Sequence, residues 1–170
     1  IDTSRYLRRN LRYNKQKHNT VAEEIRLAAE YIQLANVISA VPLEFTVNCP
    51  KELEDCLIPN LILQPLGENS VKHGIPPTME DTFHIQLSVS RDDSGALILT
   101  IADNGVGYRQ AIITELEMLQ KDENFQPRST GFGTAGVIRR LALQYGDAYR
   151  FQIHNHENGG AVTTISIPKS

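Results

Sequence analysis

The sequence predicts an α+β domain: helices beside one mixed, mainly antiparallel sheet. Three observations carry this. Residues 21–39, 60–73 and 134–145 keep helical apolar spacing. Residues 43–47, 83–90, 96–102, 149–154 and 162–167 alternate or run apolar like strands. Asp92-Asp-Ser-Gly95 and Glu157-Asn-Gly-Gly160 are turn signals that join two of the strand pairs as hairpins.

The elements follow in order. Residues 1–17 are basic, with Arg5, Arg8, Arg9, Arg12, Lys15 and Lys17 around Leu7 and Leu11 at helical spacing. They read as the solvated end of an amphipathic helix rather than a nucleic-acid arm. Thr20-Val-Ala-Glu23 is a capping box. It opens a long helix with Ile25, Ala28, Ala29, Ile32 and Ala35 on the apolar side. A half-buried strand follows Pro42, and Pro50 and Pro59 bracket a polar loop. The helix at 60–73 comes next, then the Pro76-Pro77 loop and the first hairpin. Residues 108–130 form a long polar connection with helical character over 111–119. Connections of this length are usually lids or disordered. The third helix ends at Gly146, and the second hairpin closes the chain.

With 170 residues and 41% apolar content, the chain makes one domain with a real core. The net charge of -3 gives no general argument for nucleic acid as a partner. Cys49 and Cys56 lack metal-ligand spacing, so a reduced cytosolic setting is the default. No apolar run reaches membrane-spanning length, and no signal peptide is seen. The chain begins with Ile1 rather than Met, and it is expected to be a piece of a longer protein with a membrane part upstream.

Three motifs carry chemistry. In the 60–73 helix, Ile62 and Leu66 mark one face, and Asn69 and His73 continue it. With Glu68 and Lys72 beside them, they offer an amide, an imidazole, a carboxylate and an ammonium to one place, a set suited to a metal-bound polyphosphate. The bland reading makes Glu68 and Lys72 a surface i, i+4 pair and His73-Gly74 a helix end. Gly67 within that helix costs about 1 kcal/mol relative to Ala, which predicts a close approach to its backbone. The second motif is Asp103-Asn-Gly-Val-Gly107 at a strand end. Its carboxylate can accept from an exocyclic amine, and Gly105 and Gly107 let a flat ring approach. The bland reading is an Asn-Gly turn. The third is Ser129-Thr-Gly-Phe-Gly-Thr134, running into a helix. Gly131 and Gly133 there leave backbone N–H groups for phosphate oxygens. The bland reading is a flexible loop with a Thr cap.

Taken together, the three resemble the ATP-binding domain of the GHKL superfamily, and within it sensor histidine kinases of the LytS/YesM-like branch. That branch carries Ile-Pro-x-Leu-x-Leu-Gln-Pro-Leu-x-Glu-Asn-x-x-Lys-His-Gly. This chain has Ile58-Pro-Asn-Leu-Ile-Leu-Gln-Pro-Leu-Gly-Glu-Asn-Ser-Val-Lys-His-Gly74. Residues 23–34 look like the branch's linking helix, and Ile165-Ser-Ile-Pro168 looks like its last strand. The resemblance covers roughly residues 20–168. It implies a Bergerat-type two-layer α/β sandwich with an N-terminal helical extension. Residues 1–19 would be the tail of an upstream phosphotransfer and dimerisation helix, and residues 20–170 the catalytic domain.

The resemblance also implies roles. Asn69 would ligate Mg²⁺ on the phosphates of ATP. Glu68 would act there as a base or as an orienter. Lys72 and His73 would face the phosphate or ribose side. Asp103 would bind the adenine amine, with Gly105 and Gly107 shaping that pocket, and Gly131 and Gly133 would form the phosphate loop. A response regulator would receive the phosphoryl group. Full-length members are usually homodimers through upstream helices, so this piece could be a monomer. It would be a cytoplasmic domain of a protein anchored in the bacterial membrane.

Departures from the branch are Gly67 and Thr134 in place of aliphatic residues, Ala161 in place of Thr, and Ile38-Ser39 in place of Arg-Phe. None of His18, His73, His84, His154 and His156 lies in the branch's Pro-His-Phe acceptor motif. The acceptor is therefore expected upstream of Ile1. A nucleotide-binding pseudokinase or regulatory module, and a gyrase- or MutL-type ATPase, are the rival readings.

Overall fold

The computed structural model describes residues 17–129 and 132–169. The elements are β1 (His18–Thr20), α1 (Val21–Ile38), β2 (Leu43–Asn48), β3 (Leu57–Pro59), α2 (Leu63–Asn69), β4 (Phe83–Arg91), β5 (Leu97–Asp103), α3 (Gln110–Lys121), α4 (Phe132–Tyr145), β6 (Arg150–Asn155) and β7 (Ala161–Ile167). A π-helical turn, Ser70–Gly74, continues α2.

Five strands form one sheet in the order β2-β4-β5-β7-β6. Only β2 pairs in parallel, with β4; the other three ladders are antiparallel. The sheet is mixed and mainly antiparallel, as expected. Its strands bury one face. Phe83, Ile85, Leu87 and Val89 of β4 alternate with more exposed neighbours, as do Leu97, Leu99 and Ile101 of β5. The helices cover that face, with α1 on α2, α2 on α4 and α3 on α4. One buried and one open sheet face make two layers. Asp103 falls in line with Leu97, Leu99 and Ile101, so strand periodicity turns its carboxylate toward the inner layer.

The capping box forms. Thr20 Oγ1 accepts from Glu23 N at 3.1 Å, and Glu23 Oε2 accepts from Thr20 N at 2.7 Å. Of the helical tail expected over residues 1–19, residues 1–16 lie outside the described residues. His18 and Asn19 belong to β1, which pairs antiparallel with β3, a two-stranded sheet that local periodicity did not reveal.

The helix expected over 60–73 is shorter and changes pitch. It starts at Leu63, after Leu61 has taken φ +55°. The reason is tertiary. Glu24 of α1 is fully buried, and its carboxylate accepts from Leu61 N at 2.7 Å, Ile62 N at 2.9 Å and Leu63 N at 3.1 Å. A side chain thirty-seven or more residues away thus caps α2 and holds the bend before it. The close approach expected at Gly67 is not found: a Cβ there would meet Ile32 Cδ1 at 3.5 Å, an ordinary van der Waals contact that an alanine could make.

The helical character expected over 111–119 is present as α3, but this half of the 108–130 connection is packed rather than an open lid: Leu116 and Leu119 are only 1% and 2% exposed. Ile112, Leu116 and Leu119 share one apolar stripe, and α3 lies against α4. Phe125 also packs on the core. Glu115 accepts from Arg128 N and Ser129 N, which draws the end of the segment back to the helix. No helix among the described residues is long and apolar enough to cross a membrane. Cys49 and Cys56 are free and half-buried.

Candidate functional site

A cavity of about 280 Å³ opens between the end of α2, the end of β5 and the start of α4. From α2 and its π-turn come Asn69, Ser70, His73 and Gly74. A wide turn at a helix end is a common device for redirecting side chains at a site. Here it keeps Asn69 and His73 on one wall although the helix has lost α-pitch between them. Among the described residues nothing hydrogen-bonds the Asn69 side chain. Its amide oxygen can accept a ligand or coordinate a cation.

The opposite wall is Asp103. Its Oδ1 accepts from Gly105 N at 3.0 Å and Ala161 N at 3.2 Å. No described residue hydrogen-bonds Oδ2. The carboxylate is therefore held by one oxygen and presents the other. Gly105 lies behind it, where Val106 N donates to Gly74 O at 2.9 Å. A Cβ on Gly105 would stand 2.1 Å from Gly74 O, so only glycine lets the two motifs touch. Gly107 takes φ +78° and passes the chain to Tyr108.

Four of the expected site residues, Asn69, His73, Asp103 and Gly107, line this cavity. Glu68 and Lys72 do not. They pair with each other as i, i+4 neighbours on the more exposed side of the helix, which matches the surface-pair reading of their spacing. Gly105 acts from behind. Gly131 lies outside the described residues. Gly133 is exposed beside Pro65 and does not line the cavity, but its neighbour Thr134 is buried and does.

Sequence reasoning missed Tyr108, and gave Thr134 and Ala161 only as departures. Tyr108 lines the cavity, and its hydroxyl lies 2.6 Å from Thr163 Oγ1. Burial pushes its phenol above the usual tyrosine range, and the nearby Asp103 charge adds to that. Glu24 was missed as well. Its signal was available, because it stands one turn before Ala28 and two before Ile32 on a face that is otherwise apolar.

No group of three or more His, Cys, Asp or Glu among the described residues is arranged to hold a metal ion. A cation here would take one side-chain ligand and fill its shell from phosphates and water, as Mg²⁺ commonly does. The unpartnered amide of Asn69 fits that arrangement.

Residues 55–170 match the family model described as histidine kinase-, DNA gyrase B-, and HSP90-like ATPase. The chain belongs to this family. ATP use comes with it. The sensor histidine kinase YesM of Bacillus subtilis is 27% identical over 169 residues, 99% of this chain and 27% of YesM. The sensor protein kinase HptS of Staphylococcus aureus is 25% identical over 167 residues, 98% of this chain and 31% of HptS. This chain thus spans between a quarter and a third of these relatives. Among solved structures, the mycobacterial sensor histidine kinase MprB aligns with a TM-score of 0.59 at 17% identity, covering 89% of this chain and 95% of that one. Full-length ShkA, solved in complex with AMPPNP, aligns with a TM-score of 0.60 at 19% identity, covering 89% of this chain and 31% of that one. These likenesses establish the fold as that of histidine-kinase catalytic domains.

Proposed function

We propose that this chain is the ATP-binding catalytic domain of a sensor histidine kinase. It binds Mg-ATP and transfers the γ-phosphoryl group to a histidine outside these 170 residues. The observation that carries the reading is the pair of open acceptors in one cavity, the Asn69 amide on one wall and Asp103 Oδ2 on the other. An adenine nucleotide carries an amine at one end and a metal-bound polyphosphate at the other, so it satisfies both.

In this reading Asp103 accepts from the adenine amine, and Gly105 and Gly107 let the ring come close. Asn69 holds Mg²⁺, which when bound offsets phosphate charge during transfer. His73 lies on the ribose or phosphate side of the cavity. Gly131, Gly133 and the α4 N-terminus contribute backbone N–H groups to the phosphates. Lys72 engages the Glu68 carboxylate. Glu68 does not line the cavity and is tied to its neighbour, so the orienting role suits it better than that of a base. Phosphoryl transfer needs mainly positioning and charge neutralisation, which is what this set supplies.

The whole protein would be a membrane-anchored homodimer with a response regulator as its phosphoryl acceptor. The similarity to YesM and HptS supports this. The test has two arms. Calorimetric titration of this chain with ATP in Mg²⁺ should show one site. The full-length protein with γ-labelled ATP should acquire acid-labile, alkali-stable label. Binding without label would favour a pseudokinase, and steady phosphate release by this chain alone would favour an ATPase.

A further inference from the structure

Tyr108 is held more tightly than a lid residue needs to be. Its N–H donates to Asn155 Oδ1 at 2.6 Å, and its C=O accepts from Asn155 Nδ2 at 2.9 Å. Both backbone groups are thus fixed to the end of β6 by one side chain. The phenol is fixed separately, at 2.6 Å from Thr163 Oγ1 on β7, and Thr163 is only 3% exposed. Three bonds to two strands set this side chain, and it lines the same cavity as Asp103.

The donor inventory beside Asp103 is one-sided. The carboxylate is acceptor-only, and the Ala161 N–H is already used on it. Ala161 itself brings only a methyl group. The Tyr108–Thr163 pair is different. Two hydroxyls carry two donor hydrogens, and the bond between them consumes one. One donor remains for a third partner. Adenine presents, next to its exocyclic amine, a ring nitrogen that only accepts. Guanine presents there a carbonyl oxygen and a ring N–H, the reverse order.

We infer that the Tyr108–Thr163 hydroxyl pair is the second nucleobase contact of this site, donating to the acceptor ring nitrogen beside the amine held by Asp103, and so sets adenine specificity. Asn155 is the positioning residue that fixes Tyr108 for this contact. The inference rests on the nucleotide reading above.

The test compares ATP with 1-deaza-ATP, in which that nitrogen is replaced by CH, in calorimetric titrations of this chain with Mg²⁺. Wild type should bind ATP about 5- to 10-fold more tightly than the analogue, the size expected of one hydrogen bond. Tyr108→Phe should bind both equally, at the weaker level. Asn155→Ala releases both backbone bonds that position Tyr108 and should narrow the ratio, which decides the question if Tyr108→Phe does not fold. A full ratio retained in either folded variant would overturn the inference while leaving ATP binding intact. Failure of wild type to bind ATP at all would overturn the nucleotide reading itself.

Discussion

Glu24 caps the helix that begins at Leu63: its Oε2 accepts from Leu63 N at 3.1 Å across thirty-nine residues of sequence. The same carboxylate takes Asn19 Nδ2 at 2.7 Å and the N–H groups of Leu61 and Ile62. Four donors and a helix N-terminus surround a buried anion. That arrangement compensates its desolvation. Glu24→Gln would put amide hydrogens against backbone N–H donors. We expect it to cost about 3 kcal/mol, a fall of roughly 6–12 °C in Tm for a domain of this size. A thermal melt unchanged within 2 °C would show that the cap is dispensable.

Asn69 should behave in the opposite way. It is half-buried, lines the cavity, and has no hydrogen-bond partner among the described residues. Asn69→Ala should therefore shift stability by less than about 0.5 kcal/mol while nearly abolishing Mg-dependent ATP binding. Titration of a fluorescent ATP analogue with and without Mg²⁺ reads this directly. Equal affinities for mutant and wild type would remove the metal role.

Asp103→Asn separates the structural oxygen from the binding one. An amide oxygen can still accept from Gly105 N and Ala161 N, which now bond Oδ1. The amide nitrogen then stands where Oδ2 was and presents donors to the base. The fold should survive, and ATP should weaken by about tenfold or more, the cost of losing a charge-assisted hydrogen bond. GTP should bind wild type poorly. Competition binding of the two nucleotides checks both points, and similar ATP and GTP affinities for wild type would contradict the assignment.

The lid prediction narrows to the distal half. α3 buries Leu116 and Leu119 and should exchange slowly with or without nucleotide. Residues 122–129 are mostly exposed and are tied back through Glu115 to Arg128 and Ser129. Adding Mg-ATP should slow amide exchange there and through 134, leaving α3 unchanged. Exchange across 122–134 that ignores Mg-ATP would end the lid hypothesis.

Tyr108 predicts an alkaline weakness. Burial first, and the Asp103 charge next, raise its folded-state pKa above the usual value of about 10. The neutral phenol is the form the fold accepts. Its contribution is fully present below about pH 10 and is lost as pH rises through the higher folded-state value. Tyr145 and Tyr149 are raised by burial too and add to the same trend. Urea denaturation at pH 8 and 11 should show Tyr108→Phe losing less stability than wild type. Parallel losses would assign the effect to the other tyrosines.

Much of this protein was legible residue by residue. Period-two and period-3.6 spacing located the five strands of the main sheet and the three main helices, because side-chain burial on a strand or a helix is a local, repeating property. The capping box at Thr20 was readable for the same reason, since both of its bonds close within four residues. The motif residues Asn69, His73, Asp103 and Gly107 could be named in advance, because their chemistry was out of place in apolar surroundings.

What could not be read depended on partners distant in sequence. The β1–β3 pair is three residues long on each side, too short to carry a period. The start of α2 was misplaced because its cap comes from Glu24. Tyr108 gained its place only when β6 and β7 brought Asn155 and Thr163 beside it. Local sequence determines which way a side chain points along its own element. Which donors and acceptors it meets is decided by chain segments that only folding brings together.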